Sequence, residues 1–140
     1  MRFYKLQPEV AGGWGPNTVF TRGPGGDVVI HKFHYQFDGW LGDELLESTP
    51  CFIVTRRLAD ELQKSALSGY ELKAVEVSTS DQFQDLYADC QLPEFLWLDV
   101  TGTAGVNDFG TDELMLVVSE NALTALKKAH LENCDIQEFA

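Results

Sequence analysis

Phe52-Ile-Val-Thr-Arg-Arg-Leu-Ala-Asp-Glu-Leu-Gln-Lys-Ser-Ala-Leu67 and Leu116-Val-Val-Ser-Glu-Asn-Ala-Leu-Thr-Ala-Leu-Lys-Lys-Ala-His-Leu131 follow one pattern. At an offset of 64 positions, Val54 falls on Val118, Thr55 on Ser119, Leu62 on Leu126, Lys64 on Lys128 and Leu67 on Leu131. Each copy starts as a short apolar run, meets a hydroxyl residue, and continues as an amphipathic helix. A hydroxyl suits that junction because its oxygen accepts from the backbone N–H groups left free in the first helical turn. The match continues past the helix: Tyr70-Glu-Leu-Lys-Ala-Val75 lies under Cys134-Asp-Ile-Gln-Glu-Phe139, and both alternate like strands. The pattern predicts a strand, a capped helix and a strand, used twice, at about 51–77 and 115–139.

Outward from these units, Arg2–Leu6 reads as a first strand, ended by Pro8 and the Gly-rich loop 11–16 that carries Trp14. Residues 17–21 suggest a short strand. Gly23-Pro-Gly-Gly-Asp27 is a turn, and residues 27–37 read as one strand with Phe33, Tyr35 and Phe37 on a single face. Residues 38–47 suit a short helix or a folded loop, with Gly39 and Gly42 weakening the helix. Residues 78–87 suggest a helix capped by Ser80 or Ser78. Residues 94–100 suggest a strand that places Trp97 in the core, and residues 101–113 a long connection that serves as a hairpin excursion or a binding loop. The fold expected is α+β (mixed α/β): a single domain over residues 1–140, with helices packed on a mostly antiparallel or mixed sheet.

The 140 residues suffice for one core, and 44% apolar content is ordinary for a globular domain. No apolar run approaches the ~18 residues that span a bilayer. The N-terminus lacks the apolar core of a signal peptide, so a cytoplasmic location is expected. Three widely spaced cysteines, Cys51, Cys90 and Cys134, form neither a disulfide framework nor a metal knuckle. Asp and Glu outnumber Lys and Arg 22 to 10, for a net charge of -12. That balance argues against nucleic acid, whose phosphates require clustered cations, and against anionic membranes. It favours a basic partner, with plain solubility as the competing account.

Patterns that carry chemistry are sparse. His31 and His34, three apart on a strand, project to opposite faces and cannot chelate one ion. Gly-x-Ser-x-Gly is absent, and Cys51 beside Pro50 reads as packed rather than activated. Asp108, Asp112 and Glu113 lack the ligand order of a calcium loop. No catalytic residue, cofactor or metal is therefore expected. What remains is a surface-recognition pattern of aromatics near acids, in which Trp14, Tyr35 and Trp40 stand out. The candidate partner-binding patch is Trp40, Asp43, Glu44 and Glu47, with Asp108, Asp112 and Glu113 second.

Residues 52–62 and 67–77, with Asp108-Phe-Gly110, Leu116-Val-Val-Ser119, Leu123 and Leu126, resemble a family of bacterial polymorphic-toxin immunity proteins, including a myxobacterial-type immunity domain. The resemblance covers residues 28–139 and rests on apolar, structural positions, so it transfers no site residue. It implies a small cytoplasmic protein that binds and neutralises a cognate toxin, and an acidic inhibitor complements a basic toxin. The alternatives are a small-molecule-binding or enzymatic domain using the Gly-rich loops, and a protein that self-associates through an exposed sheet edge.

Overall fold

The computed structural model describes residues 2–139. In chain order its elements are β1 (Phe3–Gln7), β2 (Gly12–Trp14), β3 (Val19–Arg22), β4 (Val28–Lys32), β5 (His34–Phe37), β6 (Leu45–Ser48), β7 (Cys51–Thr55), α1 (Arg56–Lys64), β8 (Tyr70–Lys73), β9 (Glu76–Thr79), α2 (Asp81–Leu86), β10 (Phe95–Val100), β11 (Phe109–Asp112), β12 (Met115–Ser119), α3 (Glu120–Leu126) and β13 (Asp135–Phe139). The architecture is α+β, with sheet predominating and all but one strand pairing antiparallel.

The hydroxyls at the strand–helix junctions cap as their positions predict. Thr55 Oγ1 accepts from the Leu58 amide at 3.2 Å, and Ser119 Oγ from the Ala122 amide at 3.1 Å. Ser80 does the same for α2, from Phe83 at 3.2 Å. Both main helices stop short of Leu67 and Leu131. After α1 the chain turns left-handed at Ala66 (φ 51°). After α3 the Lys128 and Ala129 amides tighten onto the carbonyls of Ala125 and Leu126, at 3.2 and 3.1 Å.

The two units occupy equivalent places in two sheets. One sheet has the order β6-β7-β10-β8, the other β11-β12-β1-β13. Each unit's two strands thus flank a third, β10 in one half and β1 in the other. Registers agree with the offset read from the sequence. Phe52 and Leu72 both face Leu98, while Leu116 and Ile136 both face Leu6. The hairpin strands agree as well: Leu45 faces Val54 and Phe109 faces Val118. The molecule is a pseudo-two-fold pair of halves. The central strand of the second half is supplied from the other end of the chain.

The inner faces of both sheets and the two helices share one core. Leu45, Phe52, Val54 and Leu98 come from the first sheet, and Leu6, Phe109, Leu116 and Val118 from the second. Leu58 and Leu62 enter from α1, with Leu123 and Leu126 from α3. Each such leucine contributes about 2 kcal/mol by leaving water. A second, aromatic core covers the outer face of the first sheet. Leu46, Cys51, Ile53, Phe95 and Trp97 pack there against Phe33, Tyr35, Phe37 and Phe83. The small β2-β5-β9 sheet and α2 carry this cover, with β5 and β9 as the parallel pair.

Three expectations need correction. Residues 27–37 form two strands that break at Phe33. β4 pairs with β3 in a separate hairpin, while β5 turns its aromatics into the second core. Residues 45–48 are a strand rather than helix or loop, because Leu45 and Leu46 point into opposite cores. The Gly-rich loop 11–16 contains a strand, β2, paired with β5, whereas the connection 101–113 makes the hairpin excursion expected of it, with β11 paired along its length with β12. No helix among the described residues is long and apolar enough to cross a membrane.

Candidate functional site

The first candidate patch does not form an exposed acidic surface. Asp43 is 0% exposed and Glu44 6%. Asp43 accepts from the amides of Glu132 (3.0 Å) and Asn133 (2.7 Å) and from the Asn133 side chain at 3.1 Å. Glu44 accepts from Thr55 Oγ1 at 2.8 Å, the His130 amide at 2.7 Å, and Arg57 Nε at 3.0 Å with a second contact from its Nη2. Burial alone would raise the Glu44 carboxyl. The bonds from Arg57, His130 and Thr55 together outweigh it and leave the group below the usual carboxylate range. Both acids are therefore structural clasps. Trp40 is half-buried, donates Nε1–H to the Asp43 carbonyl at 2.9 Å and meets Phe95 edge-on. Tyr35 is buried outright, and its hydroxyl bridges the Ala11 amide and the Glu47 carbonyl.

Asp108 is the counterpart of Glu44 in the second half, at the same offset of 64. It accepts from Ser119 Oγ at 2.6 Å and from the Ser68 amide at 2.9 Å. The two clasps are reciprocal. Glu44 caps onto α1 and ties down the loop after α3, while Asp108 caps onto α3 and ties down the loop after α1. For Asp108 too, burial raises the carboxyl and the bonds from Ser119 and Ser68 prevail, lowering it. Asp112 pairs with Lys5 at 3.6 Å.

Glu47 and Glu113, one from each candidate patch, do come together. They line a depression of about 590 Å³ with Glu9, Asp135, Val10, Leu41, Leu114 and Met115. None of its described lining residues is Lys, Arg or His. Glu9 escaped the sequence reading. Its carboxylate accepts from the Leu41 amide at 2.7 Å and the Asp43 amide at 3.3 Å, anchoring the segment that forms one wall. Burial raises the carboxyls of both Glu9 and Glu47, against opposing hydrogen bonds from Leu41 and Asp43 in one case and Thr49 in the other. A second depression, of about 320 Å³, shares Glu9, Val10 and Leu41 and continues past Asp38 to Leu86, again with no cation in its lining. Val10, Leu41, Leu86 and Leu114 project from this face, 60 to 68% exposed. The result is one continuous acidic surface studded with apolar side chains.

The pseudo-two-fold relation gives this site a twin. A depression of about 390 Å³ is lined by Pro50, Cys51, Asp99, Val100 and Thr111. These are the counterparts of Leu114, Met115, Gln7, Pro8 and Glu47 in the larger one. Leu114 lines both. The twin differs in charge, because Lys73 reaches Asp99 at 2.7 Å and lies 5.1 Å over the Trp97 ring.

One arrangement resembles acyl-transfer chemistry. His34 Nε2 lies 2.7 Å from Ser78 Oγ, and Glu76 Oε2 lies 3.7 Å from the same nitrogen. The tautomer forbids that role. Nδ1 accepts from the Asn17 amide at 3.1 Å, so the neutral ring carries its proton on Nε2 and donates to Ser78. A ring so held cannot take the Ser78 proton. Among the described residues no group of three or more His, Cys, Asp or Glu is placed to hold a metal ion. The thiols of Cys51 and Cys134 are pushed up to about 12 by burial, which removes them as nucleophiles at neutral pH.

The clasp was readable in principle, since the repeat offset extends upstream from Thr55 and Ser119 to Glu44 and Asp108. The acidic depression had no such signal, because its walls come from five separate segments. Comparison with known proteins finds no matching family model, no matching curated protein and no matching solved structure, so the site is interpreted from its own geometry.

Proposed function

We propose that this protein is a non-enzymatic binding module of the toxin-neutralising immunity type that its sequence resembles. It would act in the cytoplasm by occluding a basic toxin. The observation that carries the reading is the acidic depression with no cation among its described lining residues, where Glu47, Glu113 and Asp135 share the lining with exposed Val10, Leu41 and Leu114. Apolar contacts supply affinity at the centre of such a surface, and carboxylates speed association and select a cationic partner. Asp43 and Glu44 leave the proposed contact set because their oxygens are already engaged. Asp108 leaves it for the same reason.

The test is co-expression with toxin domains encoded beside the gene, followed by association kinetics on the purified pair. Glu47→Lys with Asp135→Lys should slow association about tenfold or more at low salt and flatten its salt dependence. Unaltered kinetics would remove this face. Binding should also weaken as pH falls towards the carboxylate range, with Glu47 taking up its proton ahead of an ordinary glutamate because burial raises its carboxyl. A second reading, a small-molecule site, is favoured by the twin depression with its Trp97 wall and its Lys73–Asp99 pair. A thermal-shift screen over a metabolite panel tests it.

A further inference from the structure

The hairpin between β11 and β12 closes in two residues, since Asp112 pairs with Met115. Both turn residues are left-handed, Glu113 at φ 50° and Leu114 at φ 69°. Turns of this shape match strand twist and ordinarily carry Asn-Gly, because L side chains are unfavourable there. A leucine has neither glycine's freedom nor the short polar side chain with which asparagine compensates.

Nothing inside the molecule accounts for the choice. The Glu113 carboxylate makes no hydrogen bond or ion pair among the described residues. Leu114 is 60% exposed. The corresponding turn of the other half, Thr49-Pro50 between Ser48 and Cys51, closes a hairpin of the same length by a different device, a cis Thr49-Pro50 peptide, with no left-handed residue. A two-residue turn without proline takes left-handed residues, but nothing in the hairpin asks for a glutamate and a leucine there. Yet the tip stands where it matters for recognition: Leu114 lines both twin depressions, and Glu113 lines the acidic one. Strain without an internal return collects at functional positions.

We propose that the Glu113–Leu114 turn is the recognition tip of the acidic face. Leu114 enters an apolar pocket on a basic partner protein, and Glu113, Glu47 and Asp135 meet the Lys or Arg side chains at the rim of that pocket. This inference rests on the binding reading above and names the element that performs it. The charge of the surroundings favours a cationic occupant, since no cation is among the described residues that line the acidic depression. An acidic peptide or a second copy of this strongly acidic chain would be repelled.

The test separates folding from binding. Glu113→Asn combined with Leu114→Gly should raise Tm by about 3–6 °C, because the replacement residues suit the turn. Twelve-residue peptides enriched from a random display library on the unaltered protein serve as probes. They should combine Lys or Arg with Leu, Ile or Phe. They should bind the turn variant at least ten times more weakly, although it is the more stable protein. Glu47→Lys with Asp135→Lys is the second variant. Peptides that lose binding to both variants support the proposal. Loss on the charge variant alone would keep the face and overturn the tip. Retention on both would overturn tip and face together. A lower Tm for the turn variant, or failure to enrich any basic peptide, would also overturn the proposal.

Discussion

The two halves share a plan but treat their outer sheet faces differently. In the first half, Trp97, Leu46 and Phe95 make that face apolar, and the layer built on β5 and α2 seals it. In the second half the equivalent positions are Lys5, Gly110 and Phe3. Lys5 lies over the Phe139 ring and pairs with Asp112. Gly110 is required because the loop 103–104 crosses it, and an added Cβ would sit on the Ala104 amide. A sheet with two apolar faces needs two covers. The first half recruited a second core, and the second kept one face polar and made do with a loop. The two depressions lie where the two solutions meet, at the hairpin ends.

This contrast can be broken by exchanging residues. Trp97→Lys buries a charge among Phe33, Ile53 and Phe95 and should cost more than about 4 kcal/mol, read as loss of a cooperative urea transition. Lys5→Trp, the reverse exchange, should stay within about 1 kcal/mol, because the position is partly open. Similar costs for the two would end the comparison.

The clasps sharpen it. Glu44→Ala should destabilise by about 3 kcal/mol, since it strands buried donors at Thr55 and His130. Asp108→Ala should cost about 1–2 kcal/mol, because its site is more open and Ser68 can turn to water. Chemical denaturation of the two variants should preserve that order, and equal values would make the clasps equivalent.

The smallest effect concerns pH. The Glu44 carboxyl is lowered in the folded state, so the unfolded chain binds its proton first. The stability it contributes is fully present above the unfolded glutamate value and is lost as pH falls through the folded one. Glu44→Gln should flatten the acid limb of a stability–pH curve between about pH 5 and 3, and Asp108→Asn should do so less. A curve unchanged by Glu44→Gln would place acid sensitivity elsewhere.

The repeat was legible because capping and helical periodicity are local. Thr55 and Ser119 announce themselves within four residues, as does Ser80. The pairing of the halves was not, because β1 and β10 have no common place in the linear pattern, and only sheet order makes them equivalent. Asp43 and Glu44 misled for a related reason. An acid-rich stretch looks solvated until distant amides, here from residues 130, 132 and 133, come to claim its oxygens. Leu45 and Leu46 hid a strand because neighbouring side chains that feed separate cores leave no period in the sequence. The aromatic face of β5 was visible as alternation, but the break at Phe33 depends on which neighbours pair on either side.

The placement of β1 sets an order of events during synthesis. This strand leaves the ribosome well before its neighbours β12 and β13, so Phe3 waits for Ser119 and Phe139 before it is paired on either side. The strands of the first half all lie between Leu45 and Val100, and that half can close while the second is still being translated. Closing the long loop between β1 and β12 should then be a late step, in which α3 docks on α1 of the first half. A chain shortened by residues 2–7 should then keep an open slot between β12 and β13, and a synthetic peptide of those residues, added in trans, should restore the cooperative transition.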